Sequence, residues 1–243
     1  MKIDINCDLG EGMGNDEAIM PYISSCNIAC GVHAGGSATM RKTIALAKKH
    51  GVKIGAHPSY PDRVNFGRKV LDISSTELIT SIQDQVMSLN AMLTKSGTNL
   101  NHIKPHGALY NEAAINKRVA KSIIEAVKSF GEEIQLFVPY GSIIAQLAES
   151  EGIQIKYEGF ADRAYQDDLQ LVSRTQAGAL LHEPEKIYRH VTKMINEQQV
   201  GTISGNFQQI IVNTICVHGD NPEAVEIVKY LFEKLTAEGI MVK

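Results

Sequence analysis

Ionisable side chains recur at the ends of short apolar runs along this chain. Asp4, Asn6 and Asp8 alternate with Ile3, Ile5, Cys7 and Leu9, so a strand here carries amides and carboxylates on one face and apolar groups on the other. At ~3.3 Å per residue, Asp4 and Asp8 stand about 13 Å apart, too far to share one small site. Asp8 and Glu11 are the pair nearest the strand's C-terminal end. His57 ends a Lys-Ile-Gly-Ala-His run just before Pro58, and His102, Lys104 and His106 share one face of the next run. His218 and Asp220 close a Thr-Ile-Cys-Val-His-Gly-Asp run, and Glu158, Asp162 and Arg163 follow the stretch from 154. Neutral His57, His106 or His218 suits a general base or a divalent-metal ligand. Asp8 or Glu11 can orient such a histidine or activate water directly. Lys104 can stabilise negative charge that develops on an oxygen or phosphate. Arg68, Arg163 and Arg174 offer planar forks for a carboxylate or phosphate. One strand-end histidine is usually structural, but three strand ends sharing the feature favour a site.

Converging these groups requires a particular set of elements. Strand-like runs at 2–8, 26–29, 53–57, 102–106, 134–138, 154–160 and 210–218 alternate with helical stretches at 37–50, 112–130, 141–151 and others. Ser74 and Glu77 read as a capping box opening a helix whose apolar stripe is Leu78, Ile82, Val86, Leu89 and Leu93, ending near Gly97. Further helices open at Pro184, running to Gly201, and at Asn221-Pro222, running to Gly239. This alternation predicts a mostly parallel α/β sheet. The 243 residues suit one (β/α)-barrel domain spanning 1–243 with about seven strands, although an open doubly wound sheet shares the pattern. In a barrel the polar face of the first strand lines the interior, and the strand-end groups meet at one mouth. The longest irregular stretches, 58–73 and 161–180, are where functional loops are expected.

Composition excludes several classes. With a net charge of −3 and no basic run, nothing favours nucleic acid or an anionic membrane as partner. The first residues lack a secretory apolar region, and no apolar run approaches the ~20 residues of a membrane span, so a cytoplasmic location is expected. Cys7, Cys26, Cys30 and Cys216 lie in apolar runs and read as buried free thiols. No Gly-x-Ser-x-Gly elbow and no phosphate-binding Gly-x-x-x-x-Gly-Lys loop occurs. Gly35-Gly36-Ser37 suits either a plain turn into a helix or a backbone cradle for an anion.

Eight blocks in chain order carry a resemblance: DINCDLGEG (4–12), NIACGVHAGG (27–36), IGAHPSYPD (54–62), NFGR (65–68), IKPHGALYN (103–111), EGFADRAY (158–165), LVSR (171–174) and ICVHGDNP (215–222). Over essentially the whole chain they resemble the LamB/YcsF family, which supplies the A component of prokaryotic 5-oxoprolinase. The resemblance implies a barrel of the glycoside hydrolase/deacetylase type. It also implies ATP-dependent hydrolysis of 5-oxo-L-proline to L-glutamate with partner subunits B and C, ATP being a co-substrate that the partners chiefly bind. On this reading Asp8, His57, Lys104 and His106 are catalytic. Asn6, Glu11, His33, Arg68, Glu158, Asp162, Arg163, Arg174, His218 and Asp220 bind substrate. Asp8, His57 and His106 are the candidate ligands for a divalent metal. Two places depart from the family pattern: Gly36-Ser37 replaces Asp-Pro, and 167–170 lacks a usual glycine. Two other readings stand beside this one, a non-catalytic substrate-binding subunit and a stand-alone metal-dependent amide hydrolase or deacetylase. All three are compatible with a homo-oligomer.

Overall fold

The computed structural model describes residues 1–243. Six strands come first: β1 (Lys2–Leu9), β2 (Ser25–Ala29), β3 (Lys53–His57), β4 (His102–Ile103), β5 (Gln135–Pro139) and β6 (Ile155–Phe160). A small antiparallel hairpin, β7 (Gln199–Gly201) and β8 (Phe207–Gln209), precedes β9 (Thr214–His218), and β10 (Met241–Val242) ends the chain. Strands β1 to β6 and β9 pair in parallel in that order. β9 then pairs with β1, placing Asp8 beside both Asn27 and His218, so the seven-stranded barrel is closed. β10 adds to β1 at the opposite end of the barrel, at Lys2 and Ile3.

The alternation in β1 sorts its side chains as the sequence predicts. Ile3, Ile5, Cys7 and Leu9 join the apolar core shared with the helices, while Asp4, Asn6 and Asp8 face inward and bond to groups on other strands. Eight helices surround the sheet: α1 (Asp16–Ile19), α2 (Ser37–His50), α3 (Ser75–Lys95), α4 (Gly107–Ile115), α5 (Lys117–Lys128), α6 (Ile143–Ser150), α7 (Pro184–Thr192) and α8 (Ala224–Ala237). The α3 capping box forms in full, and all five residues of its predicted stripe are buried. Such a cap contributes about 1 kcal/mol. All four cysteines are buried free thiols.

Some boundaries differ from expectation. The stretch 112–130 is two helices, because the Asn116 side chain accepts from the Arg118 and Val119 amides and starts a new helix there. The run 102–106 is a strand only at His102–Ile103; Pro105 has no N–H to continue the ladder. The helix from Pro184 ends in a π-helical turn at Lys193–Glu197, and the last barrel strand begins at Thr214 rather than 210. Gly35-Gly36-Ser37 makes a turn into α2 in which a Cβ on Gly35 would stand 2.3 Å from the Gly10 carbonyl oxygen. Within 167–170, Leu169 holds a φ of 66°, where glycine is the unstrained choice.

Candidate active site

The barrel floor at its C-terminal mouth is a buried charge network. Lys104 Nζ lies 2.9 Å from Asp8 Oδ1, 3.0 Å from Glu158 Oε1 and 2.9 Å from Cys216 Sγ, joining groups from β1, β6 and β9. Asn27 donates to Asp8 Oδ1 at 2.8 Å and to Asn6 Oδ1 at 2.7 Å, and Asn6 donates to Glu158 Oε1 at 2.9 Å. His102 Nε2 meets Asn27 Oδ1 at 2.7 Å, and a Cβ on Gly55 would collide with that ring, so glycine is what gives His102 its place. Burial alone would raise the Asp8 carboxyl, but the charges of His57 and Lys104 outweigh it and hold it well below the ordinary carboxylate value. Burial works against the Lys104 ammonium too, yet Asp8, Cys216 and Glu158 keep its pKa well above normal. Both groups are therefore charged at neutral pH. Removing either charge takes away the other's nearest buried counterion, leaving Lys104 with Glu158 or Asp8 with His57 and Asn27.

Three histidines form the adjoining wall. The outer nitrogens of two of them face backbone carbonyls: His57 Nδ1 lies 2.7 Å from Lys104 O, and His106 Nε2 lies 2.9 Å from Phe66 O. A carbonyl only accepts, so both outer nitrogens carry hydrogen and both inner nitrogens carry lone pairs. Those inner atoms, His57 Nε2 and His106 Nδ1, stand 2.9 Å apart, a separation that requires a cation between them, whether proton or metal. Asp8 Oδ2, 3.4 Å from His57 Nε2, provides countercharge. His33 stacks on His106 with ring centroids 3.9 Å apart, and Glu11 Oε1 stands 3.5 Å from His33 Nε2 and 3.6 Å from His106 Nδ1. Glu11 Oε1 and both ring nitrogens of His33 are buried without a hydrogen-bond partner, each at a cost of about 1–3 kcal/mol. Burial and nearby Asp8 push Glu11 well up, while burial and the His57 charge push His33 down to about 3.

Above the floor opens a cleft of about 330 Å³ lined by Asp8, His57, Lys104, His106, His218 and three arginines, Arg68, Arg163 and Arg174. His218 Nδ1 is held at 2.8 Å by Asp162, which also accepts from the His218 amide and from Asn221. Burial would raise Asp162, but the His218 charge and bond hold it below its usual value. Arg163 donates to Val172 O at 2.6 Å, and its Nε is buried without a partner. Asp220 ties together Arg68 and Arg174 at the rim. A second cleft of about 290 Å³, beyond Tyr110 and Phe160, reaches Glu158 but none of the histidines.

The candidates thus occupy two layers. Asp8, His57, Lys104, His106, Arg68, Arg163, Arg174 and His218 face the cleft. Asn6 and Glu158 lie in the network beneath it, Glu11 and His33 sit against His106, Asp162 braces His218, and Asp220 pairs with two arginines. Two close groupings of metal-ligand atoms are Glu11–His33–His106 and Asp8–Cys216–His218; of the expected Asp8, His57 and His106, His57 Nε2 stands 3.4 Å from Asp8 Oδ2 and 2.9 Å from His106 Nδ1. Sequence reasoning missed Asn27, whose signal was the same inward alternation, Ser25 and Asn27, seen on the first strand. Cys216 was read only as a buried thiol, and its contact with Lys104 has no sequence signature.

These features define a (β/α)-barrel protein with a buried network of ionisable groups under an arginine-lined cleft at the carboxyl rim of its strands. The chain belongs to the LamB/YcsF family, whose model matches residues 3–243. Proteins from Pyrococcus furiosus and Acinetobacter baylyi, both named as the A subunit of 5-oxoprolinase, are each 42% identical to it over 100% of this chain, and over 97% and 98% of their own lengths. The crystal structure of a lactam utilization protein from Thermus thermophilus superposes with a TM-score of 0.93 at 36% identity, covering 100% of this chain and 99% of that one. The peptidoglycan deacetylase PdaC from Bacillus subtilis, at 12% identity, 99% and 86% coverage and a TM-score of 0.51, shares the fold alone.

Proposed function

We propose that this chain opens the lactam ring of 5-oxo-L-proline to give L-glutamate, as the A component of an ATP-dependent 5-oxoprolinase working with subunits B and C. The observation that carries this reading is the charged Asp8–Lys104 floor, with a braced His218 above it, under an arginine-lined cleft that fits a small carboxylate. The names of its full-length relatives agree. The chain has no phosphate-binding loop, so the partner subunits handle ATP. Its thiols suit a reducing compartment, in keeping with a cytoplasmic enzyme.

A five-membered amide is a poor electrophile, and transfer of the ATP γ-phosphoryl group to its oxygen activates it, releasing ADP. Water then adds to the ring carbon. His218, oriented by ionised Asp162, takes the water's proton; the strongly ionised Asp8 is the weaker base of the two. Lys104 balances charge on the substrate oxygen, and Asp8, with His57 and His106 beside it, fixes that ammonium. Arg163 or Arg174 holds the substrate carboxylate. Loss of phosphate from the adduct only regenerates the lactam, so the ring nitrogen must leave first. His218 returns its proton to that nitrogen, the C–N bond breaks, and a γ-acyl phosphate remains. A second water converts this to glutamate and phosphate.

The test is reconstitution with both partner subunits, scoring glutamate formed from 5-oxo-L-proline and ATP. His218→Gln and Asp8→Asn are each expected to lower kcat by about 10²–10⁴-fold with unchanged circular dichroism. Near-normal turnover in both folded variants defeats this assignment.

A further inference from the structure

We infer that Glu11, His33 and His106 form a buried binding site for one divalent transition-metal ion. The reading is independent of the lactam chemistry. Glu11 Oε1, His33 Nε2 and His106 Nδ1 all lie within 4.8 Å of one another, and the three side chains are almost entirely enclosed. The independent pointer is a pair of orphaned ligand atoms: Glu11 Oε1 and His33 Nε2 are buried with no hydrogen-bond partner and stand 3.5 Å apart, and the second His33 nitrogen is unpartnered as well. The proton on His106 Nε2 is fixed by the Phe66 carbonyl, the outer-shell bond that commonly orients a metal-binding imidazole, so the lone pair is on Nδ1, 3.6 Å from Glu11 Oε1.

Ligand atoms about 2.1 Å from one ion stand roughly 3.0–3.4 Å apart. The Glu11–His33 and Glu11–His106 separations of 3.5 and 3.6 Å need only a small contraction. His57 Nε2, 2.9 Å from His106 Nδ1, is a fourth donor within reach, and an ion here supplies the positive charge that those two facing lone pairs require. Two or three imidazoles with a carboxylate suit zinc, iron, cobalt or manganese better than calcium or magnesium. One adjustment is needed. The His33 and His106 rings are parallel to within 5°, and one ion cannot lie in both planes. His33 is the ring that turns, since no hydrogen bond fixes either of its nitrogens.

Chelator-stripped protein titrated with Co²⁺ tests the site without any activity assay. The expected result is one Co²⁺ per chain, visible absorption of a nitrogen- and oxygen-bound ion, and displacement by Zn²⁺. Glu11→Gln and His33→Gln should each weaken Co²⁺ binding at least tenfold while keeping the wild-type circular dichroism. Should either variant misfold, paramagnetically shifted imidazole resonances in the wild-type Co²⁺ protein decide instead, and fewer than two such rings overturns the site. Folded wild-type protein that takes up no Co²⁺ also overturns it. So does affinity untouched by both substitutions, or a sulfur-to-cobalt charge-transfer band that vanishes in Cys216→Ser and so places the ion on the Asp8–Cys216–His218 group.

Discussion

His33 shows how one side chain couples burial to pH. Its folded pKa of about 3 lies below the ~6.5 of an unfolded histidine, so the unfolded chain binds the extra proton between those values. The stability that neutral His33 contributes is complete above pH 6.5 and is lost as pH falls towards 3. His106, also pushed well down by burial and by the His57 charge, acts in the same direction. Asp8 acts one window lower: its contribution is present above the ordinary carboxylate value and fails as pH drops through its depressed folded pKa. Glu11 opposes them, since its raised pKa favours the fold below the ordinary glutamate value and that contribution disappears as pH rises through the folded one. Urea midpoints of the chelator-treated protein should therefore fall from pH 6.5 to 4.5. The slope per fully engaged histidine is up to about 1.4 kcal/mol per pH unit, and His33→Gln should be measurably shallower. A pH-independent midpoint in this range contradicts the burial assigned to His33.

Elements act on the site through close backbone approaches. A Cβ on Gly219, just after β9, would stand 2.2 Å from the Asp8 carbonyl oxygen, a backbone atom that cannot swing aside. Gly219→Ala should push the end of β1 and its carboxylate out of register. Turnover is expected to fall more than tenfold at a stability cost of about 1–3 kcal/mol, read by paired kcat and melting measurements; unchanged turnover means that Asp8 tolerates displacement. Much of this architecture is legible in the residues themselves. Strict alternation announces β1, and Ser74 with Glu77 announces α3, because local chemistry alone decides both. Other elements depend on distant partners. His102–Ile103 is too short to declare itself and exists because Gly55 leaves room for the His102 ring. The β7–β8 hairpin has no clear alternation of its own, and Asp167 anchors it by accepting from Thr202, Ser204 and Asn206. Likewise the strand-end histidines were visible as candidates, whereas their division into a cleft-facing layer and a bracing layer depends on carbonyls such as Phe66 O that no residue type reveals.

At the scale of the whole molecule the barrel's two ends do different work. The N-terminal end of β1 pairs with β10, where Met241 N donates to Met1 O and Lys243 N donates to Ile3 O. Nothing in the cleft touches that end, so removing residues 241–243 should lower stability by about 1–2 kcal/mol and leave turnover unchanged. A large loss of kcat in the folded truncation contradicts this division. At the mouth Asp220 holds the Arg68 and Arg174 forks. If these forks receive the substrate carboxylate as proposed, the protein carries a built-in rival for it. An arriving acid trades places with a resident carboxylate instead of meeting bare guanidinium groups, so much of the attraction cancels. On the function proposed above, capture is then expected to be shallow and departure quick, which favours throughput over storage.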